Sequence, residues 1–299
     1  MLVTPLERLN KSGGCFCVGR RSSLFGLIKR IHFPIQTFTH HSRFYLGALS
    51  RTALFSTAEA GDVELTRFLL QEGANPNLGD YTSGSSPLIF ILFAERYGKR
   101  RAYHQVALLL LAHDTDVKVV QGDGSTPLDG AAFAKDLPVL RTLLFEGANI
   151  NAQNNEGWTA LMWATYSNSD EGVKVLLSAG ANPNLRVDDS YNGNDFEMTM
   201  ATPLMWETQR GNAKMAALLL AHGADPNIVN RDGATTLVLL AQSHPSAFNA
   251  DRAGIARMLL AHGANVNART KNGNTALKWA RAKGNAAMIQ LLQNAGAKS

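Results

Sequence analysis

The sequence predicts an all-α solenoid of about seven stacked helix-turn-helix units with short β-turn fingers between them, preceded by a basic extension. Three observations carry that reading. A motif of Thr or Ser, any residue and then Leu recurs with a base period of 33 residues. Each unit closes on a leucine-rich stretch that usually ends in Gly. The excess positive charge of the chain lies outside the repeated region.

The units open at Thr52, Ser86, Thr126, Thr159, Thr202, Thr235 and Thr275, and close at Gly73, Asp114, Gly147, Gly180, Gly223, Gly263 and Gly296. From opener to closer the spacings are 21, 28, 21, 21, 21, 28 and 21 residues, and from closer to the next opener 13, 12, 12, 22, 12 and 12. Seven extra residues therefore sit inside the second and sixth units, and ten between the fourth and fifth.

Each unit has the chemistry of a helical hairpin. The opening hydroxyl can accept from free N–H groups as an N-cap, and Pro87, Pro127 and Pro203 follow where a helix has no partner for that N–H. Gly61, Gly211 and Gly284 stand nine residues after their openers and read as the turn between two short helices. The second helix shows as apolar runs such as Val173, Val175, Leu176 and Leu177, ended by the closing Gly. The remaining polar dozen residues are turn-forming sequence. No single unit buries its apolar face, so neighbours must stack.

Composition narrows the function classes. No apolar run approaches the ~20 residues of a membrane helix. Cys15 and Cys17 are too few and too close for a disulfide framework, and two ligands fall short of a structural zinc. The whole chain has a net charge of +5, but residues 1–50 account for +6, with seven basic side chains against Glu7, and residues 51–299 for −1. That split argues against nucleic acid as a partner of the array.

The period and the stretches Gly124-Ser125-Thr126-Pro127-Leu128, Gly157-Trp158-Thr159-Ala160-Leu161 and Leu218-Leu219-Leu220-Ala221-His222-Gly223-Ala224-Asp225-Pro226-Asn227 resemble the ankyrin repeat over about residues 51–299. The corresponding units are 51–79, 80–120, 121–153, 154–185, 186–228, 229–270 and 271–299. One feature departs from the family: where it often has His three residues after the Thr, this chain has Phe55, Ile89, Asp129, Met162, Met205, Val238 and Lys278. The last unit, with Lys278, Arg281, Lys283, Gln290, Gln293 and Asn294, is polar as a terminal unit facing water should be.

The resemblance implies that residues four after each opener, Ser56, Phe90, Gly130, Trp163, Trp206, Leu239 and Trp279, lie on the inner helices toward the concave face, and that Trp158 points the same way from its turn. Large aromatics serve interfaces well, but they also fill gaps between helices. The expected centre of a partner-binding surface is Trp158, Trp163, Tyr166 and Trp206 with Gln209 and Arg210, and Trp279 belongs to the same row.

Other candidates are weaker. In the second unit the insertion can lengthen the first helix from Phe90 into the basic run Arg96, Lys99, Arg100 and Arg101; in the sixth, Ser243-His244-Pro245-Ser246 reads as a loop. Asp188, Ser190, Asn192 and Gly193 have the spacing that opens a calcium loop, but Thr199 stands where the closing acid belongs, so a solvated finger is the expected reading and no metal is assigned. His113, His222 and His262 recur in register at the end of the second helix and read as structural. No catalytic constellation, phosphate-binding loop or cofactor motif stands out. Residues 1–50 admit three readings: a transit peptide, a basic arm, or an extension without structure.

The expected function is a non-catalytic, monomeric protein–protein interaction scaffold, cytoplasmic and without cofactor, that holds a partner protein in its concave groove and against its fingers. The alternatives are a regulatory subunit or inhibitor of an enzyme, and an adaptor directed to a membrane or organelle by its basic N-terminus.

Overall fold

The computed structural model describes residues 52–79, 85–94, 100–187, 202–243 and 250–298. Residues 1–50, Arg96, Lys99, His244 to Ser246 and the 188–201 finger with Asp188, Ser190 and Asn192 lie outside them. Fourteen helices and no strand occur among the described residues.

The helices form seven pairs. The first member of each pair is short: α1 (Ala53–Ala60), α3 (Pro87–Phe93), α5 (Pro127–Ala134), α7 (Ala160–Tyr166), α9 (Pro203–Arg210), α11 (Thr236–Gln242) and α13 (Ala276–Ala282). Six of the seven opening hydroxyls accept from the N–H three residues on, as Thr52 does from Phe55 at 3.1 Å. Thr235 makes no such bond, and its Oγ1 is buried without a partner among the described residues.

The second members are α2 (Val63–Gln71), α4 (Arg100–Leu111), α6 (Leu137–Phe145), α8 (Asp170–Ser178), α10 (Ala213–Ala221), α12 (Ala250–Ala261) and α14 (Ala286–Asn294). Asp62, Asp136, Ser169, Asn212 and Asn285 cap five of them. The sequence placed the extra residues of the second unit in its first helix. The structure corrects this: α3 stops at Phe93, and the second helix takes up three of the seven extra residues. In both inserted units that helix, α4 or α12, has 12 residues where the others have 9.

The core follows the repeat. Leu54, Leu88, Leu128, Leu161, Leu204, Leu237 and Leu277, each two residues after its opener, are all buried. They meet second-helix leucines such as Leu110, Leu143, Leu176, Leu219, Leu259 and Leu292 in one continuous cluster. The row three after the opener is apolar and buried in five units, polar and buried only at Asp129, and exposed at Lys278. Apolar packing therefore replaces the polar residue often found there in the family.

The turn between the paired helices requires a left-handed residue. Gly61 and Gly211 supply it at φ 69° and 75°, but Lys135 and Asn168 take the same position at φ 56° and 57°. A side chain there costs about 1–2 kcal/mol relative to the right-handed region.

Asparagines tie the units together along the finger side. Asn184 Nδ2 donates to the Gly223 carbonyl at 2.9 Å while its Oδ1 accepts from Asp225 N at 2.8 Å. Asn227 repeats both bonds with Gly263 and Asn265, Asn267 with Gly296 and Lys298, and Asn77 with Asp114 and Asp116. Lys118 stands where the second unit would place its asparagine.

Candidate partner-binding surface

The first helices bring the aromatic side chains together. Phe93 of α3, Phe133 of α5 and Trp163 of α7 form a triangle with centroid separations of 6.0, 5.7 and 5.4 Å. Trp163 continues to Trp158 at 4.5 Å, and Trp158 to Trp206 of α9 at 4.8 Å. Tyr166 lies 5.7 Å from Trp158, 6.2 Å from Trp163 and 6.5 Å from Trp206. One aromatic chain thus spans four consecutive units.

Its members differ in access. Trp158 and Trp206 are only 3% and 5% exposed, whereas Tyr166 is 37% exposed and Phe93, Phe133 and Trp163 are half-buried. The two buried indoles form a floor between units four and five. Their bulk fits the packing there, since α7 and α9 meet less closely than α5 and α7. In unit three, where α5 packs closely on both neighbours, the same row holds Gly130, and a Cβ added there would come within 2.7 Å of Leu92 Cβ. The Trp163 indole N–H is buried without an acceptor among the described residues.

Trp279, in α13, is half-buried and has no ring contact with this cluster among the described residues. Gln209 is half-buried, and its carbonyl accepts from the Arg252 guanidinium. Arg210 is held by the fold. Its Nη1 donates to the Thr165 carbonyl at 3.1 Å and to Glu207 Oε1 at 3.2 Å, while Asn212 Nδ2 donates to Glu207 Oε2 at 2.6 Å. Burial is the main influence on Glu207 and raises its pKa; the Arg210 charge and the two hydrogen bonds oppose that rise. This cluster ties unit five to unit four at the junction that carries the ten-residue insertion. The ion pair was not read from the sequence, although the i, i+3 spacing of Glu207 and Arg210 was available as a signal.

The histidines serve the helix ends. Nδ1–H of His113, His222 and His262 donates to the carbonyls of Leu109, Leu218 and Met258 at 2.8, 2.9 and 2.8 Å. Among the described residues no group of three or more His, Cys, Asp or Glu side chains gathers to hold a metal, and no helix is long and apolar enough to cross a membrane.

Comparison with known proteins agrees with this architecture. A family model of ankyrin repeats in three copies matches residues 96–187 and 204–299, and a single ankyrin repeat matches residues 50–81. Ankyrin repeat and SAM domain-containing protein 6 of Rattus norvegicus is 43% identical over 88 residues, covering 29% of this chain and 10% of the relative. The mitochondrial disaggregase of Bos taurus is 44% identical over 72 residues, 24% of this chain and 10% of that protein. Neurogenic locus notch homolog protein 1 of Mus musculus is 31% identical over 135 residues, 45% of this chain and 5% of that protein. The matched stretches are thus a tenth or less of these relatives' lengths. Among solved structures, the ankyrin repeat domain of Bcl-3, a member of the IkappaB protein family, superposes with a TM-score of 0.64 at 21% identity, covering 82% of this chain and all of that domain. With the repeat, its caps and its hairpins all accounted for over most of its length, the chain belongs to the ankyrin repeat family.

Proposed function

We propose that this chain is a non-catalytic scaffold that binds a partner protein on the face formed by its first helices, centred on Trp163 and Tyr166. Ankyrin repeats generally mediate protein–protein interaction, and the single observation that supports this location is the aromatic chain from Phe93 to Trp206, which opens to solvent at Tyr166. Aromatic side chains on a rigid support bury much area with little loss of entropy. Trp158 and Trp206 act as the floor that fixes the Trp163 and Tyr166 rings. Gln209 and Arg210 border the surface, and Trp279 extends it toward the last unit. The array works as a monomer in the cytoplasm, with organelle import through residues 1–50 as the alternative.

The test is affinity capture from the source cell with the wild-type chain and with a Trp163→Ala, Tyr166→Ala double variant, each checked by thermal melting. A folded double variant should lose the recovered protein. Equal recovery by both would refute the surface. Adding the recovered protein back to the array and measuring its own activity separates a scaffold from an inhibitor.

A further inference from the structure

We infer that the carboxy-terminal end of the array is a second binding surface, one that takes an acidic peptide segment. Residues 252–299 hold eight basic side chains and not one Asp or Glu, whereas residues 51–251 carry 14 basic and 23 acidic groups. The near-neutral array is therefore a strongly polarised one, −9 followed by +8. The positive end has shape as well as charge. Arg269, Lys278, Arg281 and Lys298 line a concavity of about 210 Å³, with Gly273, Thr275 and Leu277 completing its wall.

The chain builds this feature locally. Lys278 stands three residues after its opener, in the row that is buried in the six preceding units, and here it is exposed. One turn further along α13, Arg281 points to the same concavity. Arg269 comes from the preceding finger, where its Nη1 donates weakly to the Gly273 carbonyl at 3.4 Å. Lys298 is brought in by its backbone N–H, which donates to Asn267 Oδ1 at 2.8 Å. None of the four has a carboxylate partner among the described residues. Another apolar repeat is a poor occupant, because stacking on this end would bury four unpaired cations.

The occupant is argued from charge and size. Two guanidinium forks and two ammonium groups around one small hollow suit carboxylates, which Arg binds in bidentate fashion. The lining offers no aromatic face on which a base would stack, as single-stranded nucleic acid requires. An extended polyanion or an anionic membrane that covered more than this end would meet the acidic remainder of the array. A short acidic stretch of a protein fits the hollow without that repulsion. This proposal does not depend on the aromatic centre at Trp163 and Tyr166.

The test uses the full chain and a fluorescent peptide of eight glutamates, followed by anisotropy at low salt. Wild type should bind, and Lys278→Glu with Arg281→Glu should weaken binding ~10-fold or more, with the melting transition retained. Raising the salt to about 0.5 M should weaken the wild type in the same direction. Because residues 1–50 are also basic, Arg20→Glu with Arg21→Glu is the companion variant, and it should leave binding within about twofold. Absence of binding, or loss with the companion variant alone, overturns the proposal. So does tighter binding of a single-stranded oligonucleotide or of phosphatidylserine vesicles than of the peptide. Tyr166→Ala should leave peptide binding unchanged, which keeps this result apart from that of the aromatic surface.

Discussion

Asp129 allows a worked prediction of how stability depends on pH. It occupies the row that is otherwise apolar or exposed, and is itself buried at 1% exposure. Its Oδ2 accepts from Thr126 N at 2.8 Å and from Thr126 Oγ1 at 2.7 Å, while Oδ1 is buried without a partner among the described residues. Burial pushes its pKa from an ordinary 3.8 up to about 7, against the lowering effect of the two Thr126 bonds and with a small rise from Asp123. The folded chain therefore holds a proton that the unfolded chain releases across this window. Below about pH 4 both states are protonated; above about pH 7 neither is; between them the unfolded state binds fewer protons, so stability falls as pH rises. A shift of about three units is worth ~4 kcal/mol in all, of which ~3 kcal/mol is lost between about pH 5 and pH 8. Asp129→Asn keeps an oxygen for Thr126 and removes the ionisation. Urea unfolding followed by circular dichroism should show the wild type falling relative to this variant by that amount across the window. Glu207, also raised by burial, is common to both chains and cancels. Parallel pH profiles for the two proteins would refute the reasoning.

Two further substitutions follow from the packing. Lys135→Gly relieves the left-handed strain at φ 56° and should raise stability by about 0.5–1 kcal/mol after the entropy of glycine is counted, read as a higher melting temperature. Gly130→Ala should do the reverse in spite of the better helix propensity of alanine, lowering stability by about 1–3 kcal/mol in the same melt, because the added Cβ meets Leu92 and Phe93.

Most of the hairpin was legible because its determinants are local. An opening hydroxyl bonds three residues ahead, a closing glycine ends its own helix, and the buried leucine two places after the opener recurs seven times. What depends on the neighbouring unit was not legible. The aromatic row was found by its spacing, but the burial of Trp158 and Trp206 beneath Trp163 and Tyr166 follows from how closely adjacent helices approach, a distance no single unit encodes. Arg210 looked available to a partner because its acceptor, the Thr165 carbonyl, lies 45 residues away in another unit. Lys135 and Asn168 hid a left-handed turn because glycine is its usual sign. The polarity of the array was hidden by summation, since the negative charge spread over residues 51–251 and the positive charge of residues 252–299 give a total near zero.

The aromatic chain also gives the molecule an optical address. Three of the four tryptophans, Trp158, Trp163 and Trp206, have neighbouring rings 4.5 and 4.8 Å apart, close enough for their electronic transitions to couple, and all three sit at units four and five. Only Trp279 emits from the far end. In a solenoid, stability is a sum over units and the contacts between neighbours, so different junctions can open at different stages of denaturation. Near-ultraviolet dichroism and indole emission thus report the middle of the array, while far-ultraviolet dichroism averages over every helix. A gap between the two melting curves would time the opening of that junction against the rest without any added label.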